Sequence, residues 1–457
     1  MLVAIVCTIF VLAYLAIAFE HNLHINKAAP ALFAGVVCWT IYVLNAGTFV
    51  SEDKVPEWFR VQHETEATSD EHNVDLSREF AIEGQLTENL AEIAGVLFFL
   101  LGAMTIVEMV DAFEGFSVIT DRIRSNNKLQ LLWVISFLSF FMSAVLDNLT
   151  TTIVMISLVR KLVEDHKTRL FFAGMIVCAA NAGGAWTVIG DVTTTMLWIK
   201  EKISVTEVAV RLFVPSLICF LVPLIVVSLF MRGKVERPVE ESDEQRIDLA
   251  PFWKNLLFAI GVVGLLSVPI FKLVTHLPPF MGMLLSLSVL WIVAEIIRRD
   301  LDTVTKSSTH VVEILKRIDT SSILFFLGIL LAVGSLASMG ILTGLAEKLD
   351  QTVGNLDLIA LIIGLLSSVV DNVPLVAAGI EMYGFPKDHG FWQFLAYTAG
   401  TGGSCLIIGS AAGVAAMGLE KINFMWYLRN ITPLALLGFF SGAAAYYVIE
   451  HIIFPSY

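Results

Sequence analysis

Ser143-Ala144-Val145-Leu146-Asp147-Asn148 and, about 220 residues further on, Ser367-Ser368-Val369-Val370-Asp371-Asn372 are closely matched phrases. Each sits at the middle of a long apolar stretch, 129–163 and 356–383, and each puts an Asp-Asn pair where a membrane helix should carry neither. Two further matches keep the same order: Phe98-Phe99-Leu100 with Phe325-Phe326-Leu327, and Gly183-Gly184 and Gly190 with Gly402-Gly403 and Gly409. Three matches in one order point to a duplication, with a period longer than that of any solenoid. The chain therefore reads as two repeats, 1–232 and 250–453, within a single integral membrane domain.

Composition sets the class. Hydrophobic residues make up 56% of the 457, and only 16% are charged, against roughly 25% in soluble domains. Mean hydropathy is +0.78. Apolar runs of bilayer-spanning length, about 20 residues, are expected near 2–19, 29–50, 90–110, 170–199, 206–231, 253–272, 279–297, 320–340, 391–419 and 430–452. The first run lacks a basic flank and a small-residue cleavage site, so it reads as a retained span. The net charge of −13 excludes a nucleic-acid partner, which would need a basic face. All five cysteines lie inside apolar runs without metal-type spacing, so neither disulfides nor a bound cofactor are expected.

The two stretches broken by Asp-Asn read as re-entrant hairpins with that dipeptide at the tip. The spans 170–199 and 391–419 read as interrupted helices, because glycines cluster at their middles. The expected fold is thus an all-α membrane protein of about ten spans, two hairpins and two interrupted helices. In that arrangement 20 of the 29 basic residues fall in loops on one side, which the positive-inside rule makes cytoplasmic. Both termini and the acidic loop 51–89, with His63 and His72, then face outward. Five crossings precede the second half, so it is inverted relative to the first. Inverted repeats with broken helices place substrate and ions near the bilayer midplane, where helix ends expose backbone dipoles.

The chemistry follows from the breaks. Irregular backbone at membrane depth survives only where it is buried in protein or lines a cavity. The first break, Asn181 to Thr195, contains Gly183, Gly190, Asp191 and Thr193; the second, Thr401 to Ser410, contains Gly402, Ser404, Gly409 and Ser410. Carbonyl, hydroxyl and amide oxygens suit a hard cation, and a carboxylate supplies charge. The plainer reading of such glycines is a close-packing face. Asp147, Asp191 and Asp371 are singled out because ionisable groups deep in a membrane are costly and usually functional. Their plainer reading is helix capping, which Asp performs well. Ser410 stands where Asp191 would recur, an asymmetry that suggests a specialised ion or proton carrier. Glu92, Glu108, Glu295, Glu381 and Glu420 lie close enough to span ends to be solvated, and His276, beside Pro278-Pro279, reads as interfacial. Burial favours the neutral form of a carboxyl and a neighbouring cation favours the ionised form, so one group can hold a proton or a sodium, but not both.

These residues resemble the ion transporter superfamily, over nearly the whole chain. Where its anion symporters carry Ser-Asn-Thr at the hairpin tips, this sequence has Asp147-Asn148-Leu149-Thr150 and Asp371-Asn372-Val373-Pro374, and an acid there would repel a dicarboxylate. The tips and the two glycine breaks are similar to the NhaD-type antiporters. That resemblance implies exchange of sodium or lithium for protons, a homodimer, an inner-membrane location and lipid as the surrounding partner. It carries Asp147, Asn148, Thr150, Gly183, Gly190, Asp191, Asp371, Asn372, Gly402, Ser404 and Gly409 over as site residues, with Ser367 and Ser410 as weaker members. Sodium is expected at Asp147, Asn148, Asp191, Asp371 and Asn372. The runner-up is a sodium-coupled divalent-anion symporter or arsenite-type permease. An intramembrane aspartyl protease fails on its Gly-x-Gly-Asp signature, since Val188 precedes Ile189-Gly190-Asp191, and no enzyme activity is expected.

Overall fold

The structure is a computed structural model that describes all residues except 19–22, 24, 51–54, 58, 61–75, 121–122, 124, 238–248, 300–308, 370 and 454–457. His63, His72 and Val370 therefore lie outside the described residues. The described chain is helical: α1 (Leu2–Ala18), α2 (Ala28–Leu44), α3 (Leu76–Ala112), α4 (Lys128–Leu146), α5 (Asn148–Leu162), α6 (His166–Gly184), α7 (Val192–Ile199), α8 (Val205–Phe230), α9 (Pro251–Thr275) and α10 (Pro279–Arg298). After the middle of the chain come α11 (Thr320–Ser338), α12 (Ile341–Thr352), α13 (Leu356–Leu366), α14 (Asn372–Met382), α15 (Gly390–Gly402), α16 (Ala411–Glu420) and α17 (Thr432–Val448).

Local chemistry sets most of these limits. Asn127, Asp165, Ser204, Asp319 and Asn355 accept backbone N–H bonds at the starts of α4, α6, α8, α11 and α13. Pro251 and Pro279 open α9 and α10, where a missing N–H is harmless. Gly340, at φ 70°, ends α11 in the left-handed region that glycine enters freely. His276, exposed at φ 58°, closes α9.

Seven helices among the described residues are long and apolar enough to cross a membrane: α3, α4, α8, α9, α10, α11 and the helix through α17. The difference from ten has a physical basis. Spans 2–19 and 29–50 form helices of 17 residues. Spans 170–199 and 391–419 are split at 185–191 and 403–410, as the glycines predict. The stretch 129–163 breaks at Asp147, but its first arm, α4, is 19 residues and long enough to cross unaided. The stretch 356–383 breaks into arms of 11 residues, each rising only about 16 Å against a hydrocarbon core of about 30 Å.

Two loops expected from the sequence are helical. Residues 76–89 of the acidic loop extend α3 by more than three turns, with a wider π-type turn over Phe80–Leu86. Ser77 and Ala81 face inward there, while Glu79, Glu83 and Glu88 hide the apolar period in the sequence. Residues 341–352 form α12, whose Leu342 and Ala346 are buried one turn apart.

The helices cluster into two compact units, and each draws on both halves of the sequence. The first comprises 1–97, 319–354 and 377–384. In it α2 crosses α11 where Gly35 and Gly328 allow backbone to meet backbone, and the Trp39 indole donates to the Leu331 carbonyl at 2.8 Å. The second comprises 98–318, 355–376 and 385–457. There α6 packs on α4 and α5, α13 on α15, and α8 on α17, so both interrupted helices and both Asp-Asn breaks fall in one unit.

Candidate functional site

Equivalent residues of the two phrases make the same contacts. Ser143 donates its hydroxyl to the Ala180 carbonyl at 2.6 Å, and Ser367 to the Ala399 carbonyl at 2.8 Å. A side chain on Gly183 would collide with the Phe140 carbonyl, and one on Gly402 with the Gly364 carbonyl. Gly190 lies against the Ser143 carbonyl in the same manner as Gly409 lies against that of Ser367. These four glycines and Ser367 hold each break against the helix before the Asp-Asn pair. They act by close approach of backbone, and their role is packing around the site.

Inside that frame one carboxylate gathers donors. Asp191, 1% exposed, caps α7: its Oδ1 accepts from the Thr193 N–H at 2.8 Å and the Thr193 hydroxyl at 2.7 Å. Its Oδ2 accepts from Asn148 Nδ2 at 2.6 Å, and Asn372 Nδ2 approaches both oxygens at 3.4 and 3.5 Å. Asn148 Nδ2 also donates to Asn181 Oδ1 at 2.9 Å. Asn181 in turn donates through Nδ2 to the Ser404 hydroxyl at 2.9 Å and the Ser410 hydroxyl at 3.0 Å. One buried network thus joins residues from all four chain breaks.

The network also fixes which way the amides face. A carboxylate only accepts, so Asn148 and Asn372 must turn their nitrogens to Asp191, and their carbonyl oxygens face elsewhere. Ser410 caps α16 through the Gly413 N–H at 3.1 Å, with backbone angles close to those of Asp191. The two breaks are therefore alike in backbone and differ in charge.

Asp147 and Asp371 are the acids of the two Asp-Asn breaks. Asp147 caps α5, accepting from the Thr150 N–H at 2.8 Å and the Thr150 hydroxyl at 3.0 Å, so Thr150 serves Asp147 rather than the network. It is half-buried and held at φ 81°, a strained value for a residue with a side chain. Asp371 is buried, and the Val373 N–H approaches it at 3.5 Å. The capping reading of Asp147 and Asp191 is therefore real geometry. Helix N-termini favour negative charge, which suits carboxylates at the starts of α5, α7 and α14.

Sequence reasoning missed three contributors. Ser143 and Thr187 tie the first break together, the latter donating to the Ala144 carbonyl at 2.7 Å, and the Tyr427 hydroxyl supports the Ser404 carbonyl at 2.8 Å. Only Ser143 carried a signal, its match to Ser367. Glu420, expected to be solvated at a span end, is instead 3% exposed. Arg160 at 2.6 Å and Arg169 at 3.1 Å bracket its carboxylate, drawing together the ends of α5, α6 and α16. Among the described residues no three His, Cys, Asp or Glu side chains converge as a metal cluster.

Comparisons with known proteins bear on this geometry. The citrate transporter family matches residues 14–384. Sodium/proton antiporter 2 of Arabidopsis thaliana is 42% identical over 97% of this chain and 99% of its own length. Sodium/proton antiporter 1 of the same plant is 44% identical over 98% of this chain and 72% of its own. The Na(+)/H(+) antiporter NhaD of Alkalimonas amylolytica is 31% identical over 100% of this chain and 92% of its own length.

Proposed function

The chain belongs to the citrate transporter family and to the NhaD-type sodium/proton antiporters, and from that premise we propose that its exchange is carried out at Asp191. The protein is a multi-pass membrane transporter, not an enzyme, and it exchanges sodium for protons, both of them cargo rather than cofactors. The observation that carries the site assignment is the buried Asp191 carboxylate with donors from Asn148, Thr193 and Asn372.

Such a carboxylate can hold one positive partner at a time. A proton on it neutralises the charge that would draw sodium, and a bound sodium favours its ionised form and expels the proton. Asn148 and Asn372 keep their nitrogens on Asp191 and offer carbonyl oxygens to the cation. Asn181, Ser404 and Ser410 link that centre to the second break. Asp147 and Asp371 add negative charge nearby, which attracts a cation and repels a dicarboxylate. Lithium, a smaller hard cation, fits the same oxygen set. Inverted halves, re-entrant tips and both termini outside complete the reading, supported by the matched phrases, the two 11-residue arms and the distribution of basic residues; a homodimer and an inner-membrane location rest on the family resemblance alone.

The test uses purified protein in proteoliposomes under an imposed proton gradient. Sodium and lithium should collapse the gradient, whereas potassium, citrate and succinate should not. Concentrative, sodium-dependent uptake of citrate or succinate would overturn the reading.

A further inference from the structure

The polar side chains of the network all have partners, but two hydroxyls beside it have none. Thr151 and Thr152, near the start of α5, are 0% exposed, and neither hydroxyl makes a hydrogen bond. Buried hydroxyls are nearly always satisfied, and on a helix the usual partner is the carbonyl one turn earlier. Elsewhere in this chain Ser139 bonds the Ile135 carbonyl at 2.8 Å, Ser157 that of Ile153 at 2.8 Å, and Thr401 that of Tyr397 at 2.6 Å. Thr151 and Thr152 have carbonyls at the same spacing and do not use them.

Their position supplies the second observation. They follow Asn148 by three and four residues, so they flank it on its own face of α5. Asn148 is the residue that donates to Asp191 at 2.6 Å. Ser136, Ser216 and Thr432 also carry buried hydroxyls without partners, but none lies within a helical turn of a network residue. The Thr151–Thr152 pair does.

We propose that the Thr151 and Thr152 hydroxyl oxygens are ligands of the transported cation and set which alkali ion the site prefers. This rests on the reading of Asp191 as the exchange site. A cation leaving water must replace its hydration shell with hard oxygens, and neutral ones supply contact without altering the charge balance that couples cation to proton. Asn148, with its nitrogen turned to Asp191, keeps its side-chain carbonyl oxygen free of that carboxylate, and the two threonines follow it on the same face of α5. When the cation binds, each hydroxyl hydrogen turns to the carbonyl one turn earlier and its lone pairs face the ion. Neutral ligands of this kind tune affinity and size preference, while Asp191 remains the group shared with the proton.

The experiment compares Thr151→Val, Thr152→Val and the double variant with Thr151→Ser and Thr152→Ser, all in proteoliposomes beside Asp191→Asn. The half-saturating sodium concentration should rise about tenfold in the double valine variant, with the maximal exchange rate little changed. The ratio of lithium to sodium half-saturation should shift with it, and the serine variants, which keep the oxygen, should stay within about twofold of the parent. Valine removes a partnerless buried hydroxyl, so thermal stability should hold or rise, and lost affinity cannot then be ascribed to a damaged fold. Unchanged half-saturation for both ions in the valine variants, alongside an inactive Asp191→Asn, overturns the proposal. Equal losses in the serine and valine variants overturn it as well, since they would trace to packing. An active Asp191→Asn variant overturns the site reading itself, and this proposal with it.

Discussion

Asp191 and Asp147 look interchangeable as sequence, each an acid at a helix start within a membrane stretch, yet their surroundings make opposite demands on a substitute. Asp147 accepts from the N–H and hydroxyl of Thr150 as a helix cap, and asparagine caps about as well as aspartate. Asp147→Asn should therefore keep its melting temperature and lose exchange only through the missing charge. Asparagine at 191 would set an amide N–H₂ against donors that converge from Asn148, Thr193 and Asn372. At least one buried donor is then left unpaired, at a cost of about 1–3 kcal/mol. Asp191→Asn should lose both exchange and several degrees of melting temperature, whereas Asp371→Asn should lose exchange with a smaller thermal shift. Sodium-driven proton flux and a thermal melt on each variant separate these outcomes, and a fully active Asp191→Asn would remove the carboxylate from the mechanism.

At the scale of elements, the helix ends away from the network are tied as firmly as those that form it. Glu420 at the end of α16 is buried between Arg160 of α5 and Arg169 of α6, and Arg160 also bonds the Leu419 carbonyl. The Arg160 side chain is 46% exposed and that of Arg169 22%, so water solvates the guanidinium groups once the carboxylate is gone, and Glu420→Gln should cost about 1 kcal/mol. A denaturant titration reads this, and a change below 0.5 kcal/mol would mean that solvent already screens the cluster. The N-terminus of α6 carries a smaller, pH-dependent device. The Thr168 hydroxyl, bonded to Asp165 at 2.5 Å, holds the Asp165 carboxyl below its usual range. A lowered folded value means that this cap stabilises above the ordinary carboxylate range and fades as pH falls through the lowered value. Asp165→Ala should cost about 1 kcal/mol near neutrality, with the gap closing in strong acid. A gap constant with pH would show that the stabilisation does not depend on ionisation.

At the scale of the whole molecule, the two sequence halves and the two compact units divide the chain differently. The first half contributes 1–97 to one unit and 98–232 to the other, and the second half gives 319–354 and 377–384 to the first unit and its remainder to the second. Both Asp-Asn phrases and both glycine breaks belong to the same unit, which brings together side chains more than 220 residues apart in sequence, as in Asn181 with Ser404. The proposed sidedness rests on the basic residues, 20 of 29 of which the ten expected spans assign to loops on one side. A single cysteine placed in 51–75 of a cysteine-free variant should react with an impermeant maleimide in intact cells. Reaction only after the membrane is inverted would reverse the assigned orientation of the chain.

The amino-acid sequence by itself determined the helical membrane class, the duplicated phrases and the places where helices break, while the sodium/proton reading came through its resemblance to a known family. The first three are encoded locally, in runs of apolar residues, in glycines, or in an acid where a membrane helix tolerates none. It left open which acid gathers the donors, because capping and ion binding ask for the same residue at the same helix start. Only the tertiary structure decided that Asp191 lies at the centre, that Thr150 is spent on capping Asp147 and Ser367 on the Ala399 carbonyl, and that Glu420 is buried rather than solvated. Those outcomes depend on which helix ends meet across the fold, and burial and donor count arise from packing between segments far apart in the chain.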